Sequence, residues 1–236
     1  MRIASYASQA ALAEAAALAI AQQAKSATRE RGRFTLVLSG GSTPKPIYEL
    51  LANESSIDWQ HIHLFWGDER FVPHDDPQSN YRMAKESLID KIAIPRENIH
   101  PVPIMADPTD SANAYANELR SFFKSDIPKF DLILLGLGED GHTASLFPGP
   151  EFNPSENRVV ISTHSPKPPI DRISLSLSII NEARNVFFLV SGKDKKGILK
   201  AVVADSENSK SEYPAAYVKP RGELVWFVDT DASPRD

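Results

Sequence analysis

The stretch FDLILLGLGEDGHTASLFPG, Phe130 to Gly149, decides how the rest of the chain is read. It opens on an unbroken apolar run of strand length, DLILL from Asp131 to Leu135. A run without alternation suits a strand buried on both faces, as in a parallel sheet covered by helices. The run breaks at Gly136, and Gly136, Gly138 and Gly141 then spell G-x-G-x-x-G. That spacing is a dinucleotide fingerprint, and Gly136 to Thr143 also nearly spells a P-loop. Neither reading holds. Glu139 and Asp140 place negative charge where a pyrophosphate would lie, and neutral His142 stands where the P-loop needs its lysine. The following HTASLFPGP leaves room for a short helical turn at most, whereas a dinucleotide unit continues into a crossover helix. The loop instead presents Asp140 and His142 at the carboxyl end of a parallel strand, the edge where open α/β sheets hold ligands. A histidine beside a carboxylate can serve as a general base near neutral pH. A buried histidine satisfying a loop carbonyl is the competing reading.

Outward from this strand, other runs repeat the pattern. FTLVL (Phe34 to Leu38), IHLFW (Ile62 to Trp66) and VFFLV (Val186 to Val190) are continuous and apolar, and LVWFV (Leu224 to Val228) reads as a last strand. RISLSLS (Arg172 to Ser178) alternates and predicts a strand with one more polar face. Helical patterns fall between them: Ser8 to Arg31 with Gly32 as its stop, Pro44 to Ala52, Asn80 to Ile92, Asp110 to Phe123 and Lys195 to Ala204. Strand–helix alternation predicts an open α/β sheet, mostly parallel, with helices on both faces. The Pro-rich pieces are too short for interdomain linkers, so residues 1–236 are expected to form one domain, with the final DASPRD fraying.

The composition narrows the function. A formal net charge of −5 argues against a nucleic-acid surface, so any anion must be held by a local site. The absence of cysteine removes thiolate nucleophiles, disulfide frameworks and Cys zinc sites. The alanine-rich N-terminus is interrupted by Gln9, Glu14 and Gln22 and reads as an amphipathic helix, not a signal peptide. With no long apolar span, a cytoplasmic protein without membrane partners is expected.

A second informative stretch is LVLSGGSTPKPIYELL. After a strand come Ser39, Gly40, Gly41, Ser42 and Thr43, then a helix opened by Pro44. Glycines admit close backbone approach, and free N–H groups at a helix start favour an anion. Three hydroxyls add donors. The loop reads as a cradle for a phosphate monoester; an ordinary strand-to-helix turn is the alternative. Pro44 displaces the last glycine of a serine-hydrolase elbow, which argues against a nucleophilic serine. Asp68, Glu69 and Arg70 follow another strand end, and Arg172 and Lys195 are cations that could reach a phosphate or remain surface charges. His61 and His63 are spaced to share a strand face, a possible metal pair without a visible third ligand.

Taken together, LSGGSTP, WGDERFVP followed by SNYRMAKESL, and LLGLGEDGHTASLFPG resemble the 6-phosphogluconolactonase branch of the glucosamine-6-phosphate isomerase/6-phosphogluconolactonase family. The likeness spans nearly the whole chain, and PKPPIDRISLSLSIIN and VSGKDKKGIL extend it. It implies a Rossmann-like, NagB/RpiA-like sheet without a nucleotide cofactor or a metal, acting on a sugar-phosphate lactone. It implies His142 as the general base and Arg70 beside the reacting end. Asp140 is expected to orient the imidazole. Ser39 to Thr43, Arg172 and Lys195 are implied to hold the phosphate. A monomer or small homo-oligomer is expected. Isomerases of the family typically carry Asn-Glu-Pro after D-G-H, where this chain has Ser145-Leu146-Phe147-Pro148, and Asp-Glu-Tyr where it has Asp68-Glu69-Arg70. A sugar-phosphate sensor would usually follow a helix-turn-helix module, for which there is no room before Phe34.

Overall fold

The computed structural model describes residues 1–208 and 211–234. In chain order the helices and strands are β1 (Arg2–Tyr6), α1 (Gln9–Arg31), β2 (Phe34–Leu38), α2 (Pro44–Ala52), β3 (Ile62–Trp66), β4 (Asp68–Arg70), α3 (Asn80–Ser87), β5 (Ile99–His100) and α4 (Pro108–Phe123). They continue as β6 (Leu132–Leu135), β7 (Val160–His164), β8 (Asp171–Leu175), α5 (Leu177–Glu182), β9 (Asn185–Val190), α6 (Lys196–Ala204) and β10 (Glu223–Asp229).

Seven strands form one sheet in the order β1-β10-β9-β6-β2-β3-β5. Every pairing in it is parallel. The apolar runs sit at its centre: β2 and β6 are buried along their whole length. From β2 the chain steps outward to β3 and β5, then returns to β6 and proceeds the other way through β9 to β10. The direction therefore reverses between β2 and β6, and the crevice beyond their carboxyl ends is the natural ligand position. Right-handed crossovers place α1 to α3 on one face and α4 to α6 on the other. α1 packs on α2, and α2 on α3, consistent with a shared face.

Local chemistry explains the elements. α1 begins where Ser8 Oγ accepts from Ala11 N at 3.2 Å and stops at Gly32, left-handed at φ 75°. Apart from Leu12 and Ile20 its buried stripe is alanine, which lets the helix lie close to its neighbours. The smaller sheet, β4-β8-β7, is antiparallel.

Several elements depart from the sequence expectation. The strand expected over Arg172–Ser178 ends at Leu175, because Ser176 turns the chain and Leu177, Ile179 and Ile180 bury themselves on α5. The helix expected to reach Ile92 ends at Ser87, whose Oγ bonds back to Met83 O at 2.6 Å; a short 3-10 turn follows. Lys193–Lys195 likewise form a 3-10 turn ahead of α6. His61 lies in a 3-10 turn against Asp58, so it does not share a strand face with His63. At the C-terminus, Ala232 and Ser233 are buried and Ala232 N donates to Asp229 Oδ1 at 2.9 Å, against the expected fraying; Arg235 and Asp236 lie outside the described residues.

Candidate active site

The carboxyl ends of β2, β3, β6 and β9 converge on a cleft of about 780 Å³. Ser39 to Thr43 arrive from β2, Asp68 and Arg70 from beyond β3, Asp140 and His142 from β6, and Lys195 from β9. Arg172 enters on β8. The catalytic and phosphate-binding candidates named from the sequence thus line one cavity, whereas Glu69, His61 and His63 do not.

The loop after β6 is held shut around His142. Gly138 N donates to His142 O at 2.9 Å, and Thr143 Oγ1 donates to Gly136 O at 2.9 Å. A side chain at Gly138 would sit 2.0 Å from His142 Nδ1, and Gly141 is left-handed at φ 82°. Asp140 Oδ1 lies 2.5 Å from His142 Nδ1 and also accepts from the His142 backbone N–H at 3.1 Å. A carboxylate can only accept, so Nδ1 carries the proton and Nε2 is left with its lone pair. No helix follows β6 here; Ala144, left-handed at φ 48°, turns the chain instead. That conformation costs an L-residue roughly 1–2 kcal/mol. After the turn Ser145 Oγ donates to Asp68 Oδ2 at 2.6 Å.

The loop after β2 is pinned by Tyr48, whose hydroxyl accepts from Ser39 N at 2.9 Å and donates to Ser39 O at 2.8 Å. Gly41 is left-handed at φ 106°, and a Cβ on Gly40 would collide with Asn80 at 1.9 Å. Thr43 makes no side-chain cap, while Pro44 and Pro46 remove two N–H groups from the first turn of α2. With the Ser39 amide held by Tyr48, the amides of Gly40 to Thr43 remain to meet an anion.

β4 and β8 pair antiparallel with Arg70 opposite Arg172. Two guanidinium groups on facing strands repel one another. Burial, and after it the Arg70 charge, hold Arg172 below its ordinary value. Arg172 Nε donates to Pro169 O at 2.8 Å, and Arg70 donates to Gln78 O. Arg70 Nε and Ser39 Oγ are buried without a partner from the protein. The Trp66 and Trp226 indole N–H groups are in the same condition, whereas Ser39 and Arg70 also line the cleft.

A sequence model of the glucosamine-6-phosphate isomerases/6-phosphogluconolactonase matches residues 7–226. The chain belongs to that family. Among its relatives, a 6-phosphogluconolactonase from Synechocystis sp. is 44% identical, with 94% of this chain and 92% of that protein covered. Another from Nostoc sp. is 43% identical over 87% of this chain and 86% of that protein. The crystal structure of a Thermotoga maritima 6-phosphogluconolactonase superposes with a TM-score of 0.84 at 31% identity, covering 97% of this chain and 99% of that one. A monomeric glucosamine-6-phosphate deaminase, 19% identical with a TM-score of 0.82, shares the fold.

Within this member of the family, Glu69 is structural. It is buried, its Oε1 accepts from Arg70 N and Asn80 N at 2.8 and 2.7 Å, and its Oε2 accepts from Tyr81 N and Ser79 Oγ at 2.8 and 3.1 Å. Burial pushes its carboxyl up even though the backbone N–H groups pull the other way. Partial burial also raises the Asp140 carboxyl, but the hydrogen bonds and charge of His142 outweigh it and hold Asp140 below the usual range. Sequence reasoning missed Asn80, whose side chain covers Gly40 and donates to Asp68 O at 3.0 Å. It missed Tyr48 as the pin of the β2 loop, and Ser145 as the partner of Asp68. The Ser79 helix cap was a readable signal for Asn80; the other two act through hydrogen bonds 9 and 77 residues apart, which residue type does not announce. Among the described residues no three His, Cys, Asp or Glu side chains gather as a metal site would require.

Proposed function

We propose that this chain hydrolyses 6-phospho-D-glucono-1,5-lactone to 6-phosphogluconate with water activated by His142. The observation that carries the reading is the pairing of an Asp140-held imidazole with facing guanidinium groups in one cleft. The relatives' lactonase names support the substrate class.

A δ-lactone needs a positioned water, a stabilised oxyanion and no covalent nucleophile. The loop from Ser39 to Thr43, through the amides of Gly40 to Thr43, anchors the phosphate with Arg172 and Lys195, and that remote binding energy positions the carbonyl. His142 Nε2 takes a proton as water attacks C1, and Asp140 stabilises the imidazolium that forms. Arg70 faces the oxyanion, a role worth roughly 3 kcal/mol in other hydrolytic sites. When the intermediate collapses, the bond from C1 to the ring oxygen breaks. His142 returns its proton to that oxygen, leaving a hydroxyl, and the acid product ionises. Lys195 Nζ lies 3.4 Å from Asp194 and 4.0 Å from Glu139, so it reaches the phosphate by exchanging exposed carboxylates for it.

The test is lactone decay. With 6-phosphogluconolactone generated in situ, the wild-type chain should accelerate hydrolysis well above the protein-free rate, and His142→Ala should lose most of that acceleration. Decay at the blank rate with wild-type protein overturns the reading, and deamination of glucosamine 6-phosphate then becomes the assay to run.

A further inference from the structure

A second pocket, of about 410 Å³, opens at the amino-terminal edge of the sheet, away from the cleft. Its lining includes Arg31, Arg33, Phe123, Lys129, Asp131 and Arg184. Arg33, Asp131 and Arg184 each stand directly before one of the neighbouring central strands β2, β6 and β9, so the topology itself brings them together.

Asp131 cannot neutralise this lining. It is buried, and its Oδ2 is taken by Thr35 N and Thr35 Oγ1, both at 2.9 Å. Its Oδ1 meets Arg31 Nε at 3.0 Å and Arg184 Nε at 3.3 Å. The carboxylate therefore fixes two guanidinium groups by their Nε atoms. Arg33 is set over the Phe122 ring, 4.5 Å from its centroid. Among the described residues no carboxylate pairs with Arg33 or Lys129. Glu182, whose carboxyl feels Lys129, is bonded to Arg221 at 2.7 Å. Glu30 pairs with Arg31 at 2.7 Å, and the lining still carries net positive charge after it is counted.

Helix polarity explains part of this concentration, since cations collect at helix C-termini. Arg29 and Arg31 serve α1 in that way and Arg120 serves α4. Arg33 and Arg184 stand one residue past the caps of α1 and α5, where the same field favours them; Lys129 lies five residues beyond the α4 cap and needs another reason, in a chain whose net charge is −5. A concave pocket of one sign focuses its field on a counter-ion, and guanidinium groups match oxyanions by paired N–H donors. The volume is that of a small-molecule site. We propose that this pocket is a second oxyanion site, taking a small metabolite that carries two or more phosphate charges.

The test uses pyrophosphate and does not depend on the lactonase reading. Calorimetric titration of the full chain carrying Arg172→Ala, which weakens anion binding in the cleft, is expected to show one remaining event. Adding Lys129→Glu should weaken that event at least tenfold. Lys129 is exposed, so this change leaves folding intact. In the unaltered chain, amide shifts on pyrophosphate addition should appear at Gly32 and Lys129 as well as in the Ser39–Thr43 loop. Loss of all binding with Arg172→Ala, indifference to Lys129→Glu, or shifts confined to the cleft would each overturn the proposal.

Discussion

At the residue scale the cleft separates chemistry from anchoring. His142→Ala is expected to lower kcat by about 10²–10⁴-fold with little change in KM, the range a positioned base supplies. Arg172→Ala should do the reverse. Losing a charge-assisted hydrogen bond of about 1.5–3 kcal/mol raises KM roughly ten- to a hundredfold. Steady-state lactone hydrolysis of both variants checks the split; equal effects on kcat and KM in either would contradict it. His142, Asp140, Arg70 and Lys195 were legible because their motifs follow apolar strands and so fall at one sheet edge, whereas Arg172 enters from β8 of the smaller sheet. Tyr48 and Ser145 were not legible. Each acts through a contact with another loop, and residue type alone does not name the partner. The register of Arg70 with Arg172 was equally hidden, since β4 is only three residues long and polar.

At the element scale Glu69 ties β4 to the start of α3, and through Asn80 both reach the Gly40 loop. Glu69→Ala strands buried N–H groups and should cost about 3 kcal/mol or more, read from urea unfolding at neutral pH. A loss below 1 kcal/mol would show that α3 does not need this carboxylate. On β3, burial first, then His100 and Arg33, lower the His63 imidazole to about 4. His63 Nδ1 lies 3.2 Å from His100 Nε2, whose ring also meets Glu118 through Nδ1 at 3.0 Å. Because the folded value lies below the ordinary 6.5, the unfolded chain binds the proton more readily. The stability due to a neutral His63 is complete above about pH 6.5 and falls as the pH drops toward 4. His63→Leu should flatten unfolding free energy across that window; an unchanged slope would remove His63 from the account. Element ends were less legible than element types. LSLS fits both a strand and the first turn of a helix, and burial of Ile179 and Ile180 decides between them.

At the scale of the whole molecule, continuous apolar runs identified the central strands, because only doubly covered strands can be apolar on both sides. β1 escaped that logic. It is an edge strand, partly exposed, and RIASY carries too little apolar signal to be read alone. Its importance is structural. It pairs with β10 along five residues, and Tyr6 stacks on Phe227 with centroids 5.9 Å apart. Removing residues 1–6 would bare the apolar edge of β10, so the truncated chain is expected to melt lower and to associate. Thermal unfolding and light scattering at several concentrations test this; a truncated chain with unchanged Tm and no more association than the full chain would refute it. The same parallel pairing has a practical side. Parallel neighbours carry the first and last strands in one direction, so anything joined ahead of β1 leaves from the edge opposite the cleft. Anything joined beyond β10 leaves beside the cleft, where Asp229 holds Ser191 Oγ at 2.5 Å in the turn leading to Lys195. A surface tether at the front of the chain would leave substrate access open, whereas one at the back would pull on the turn that carries Lys195.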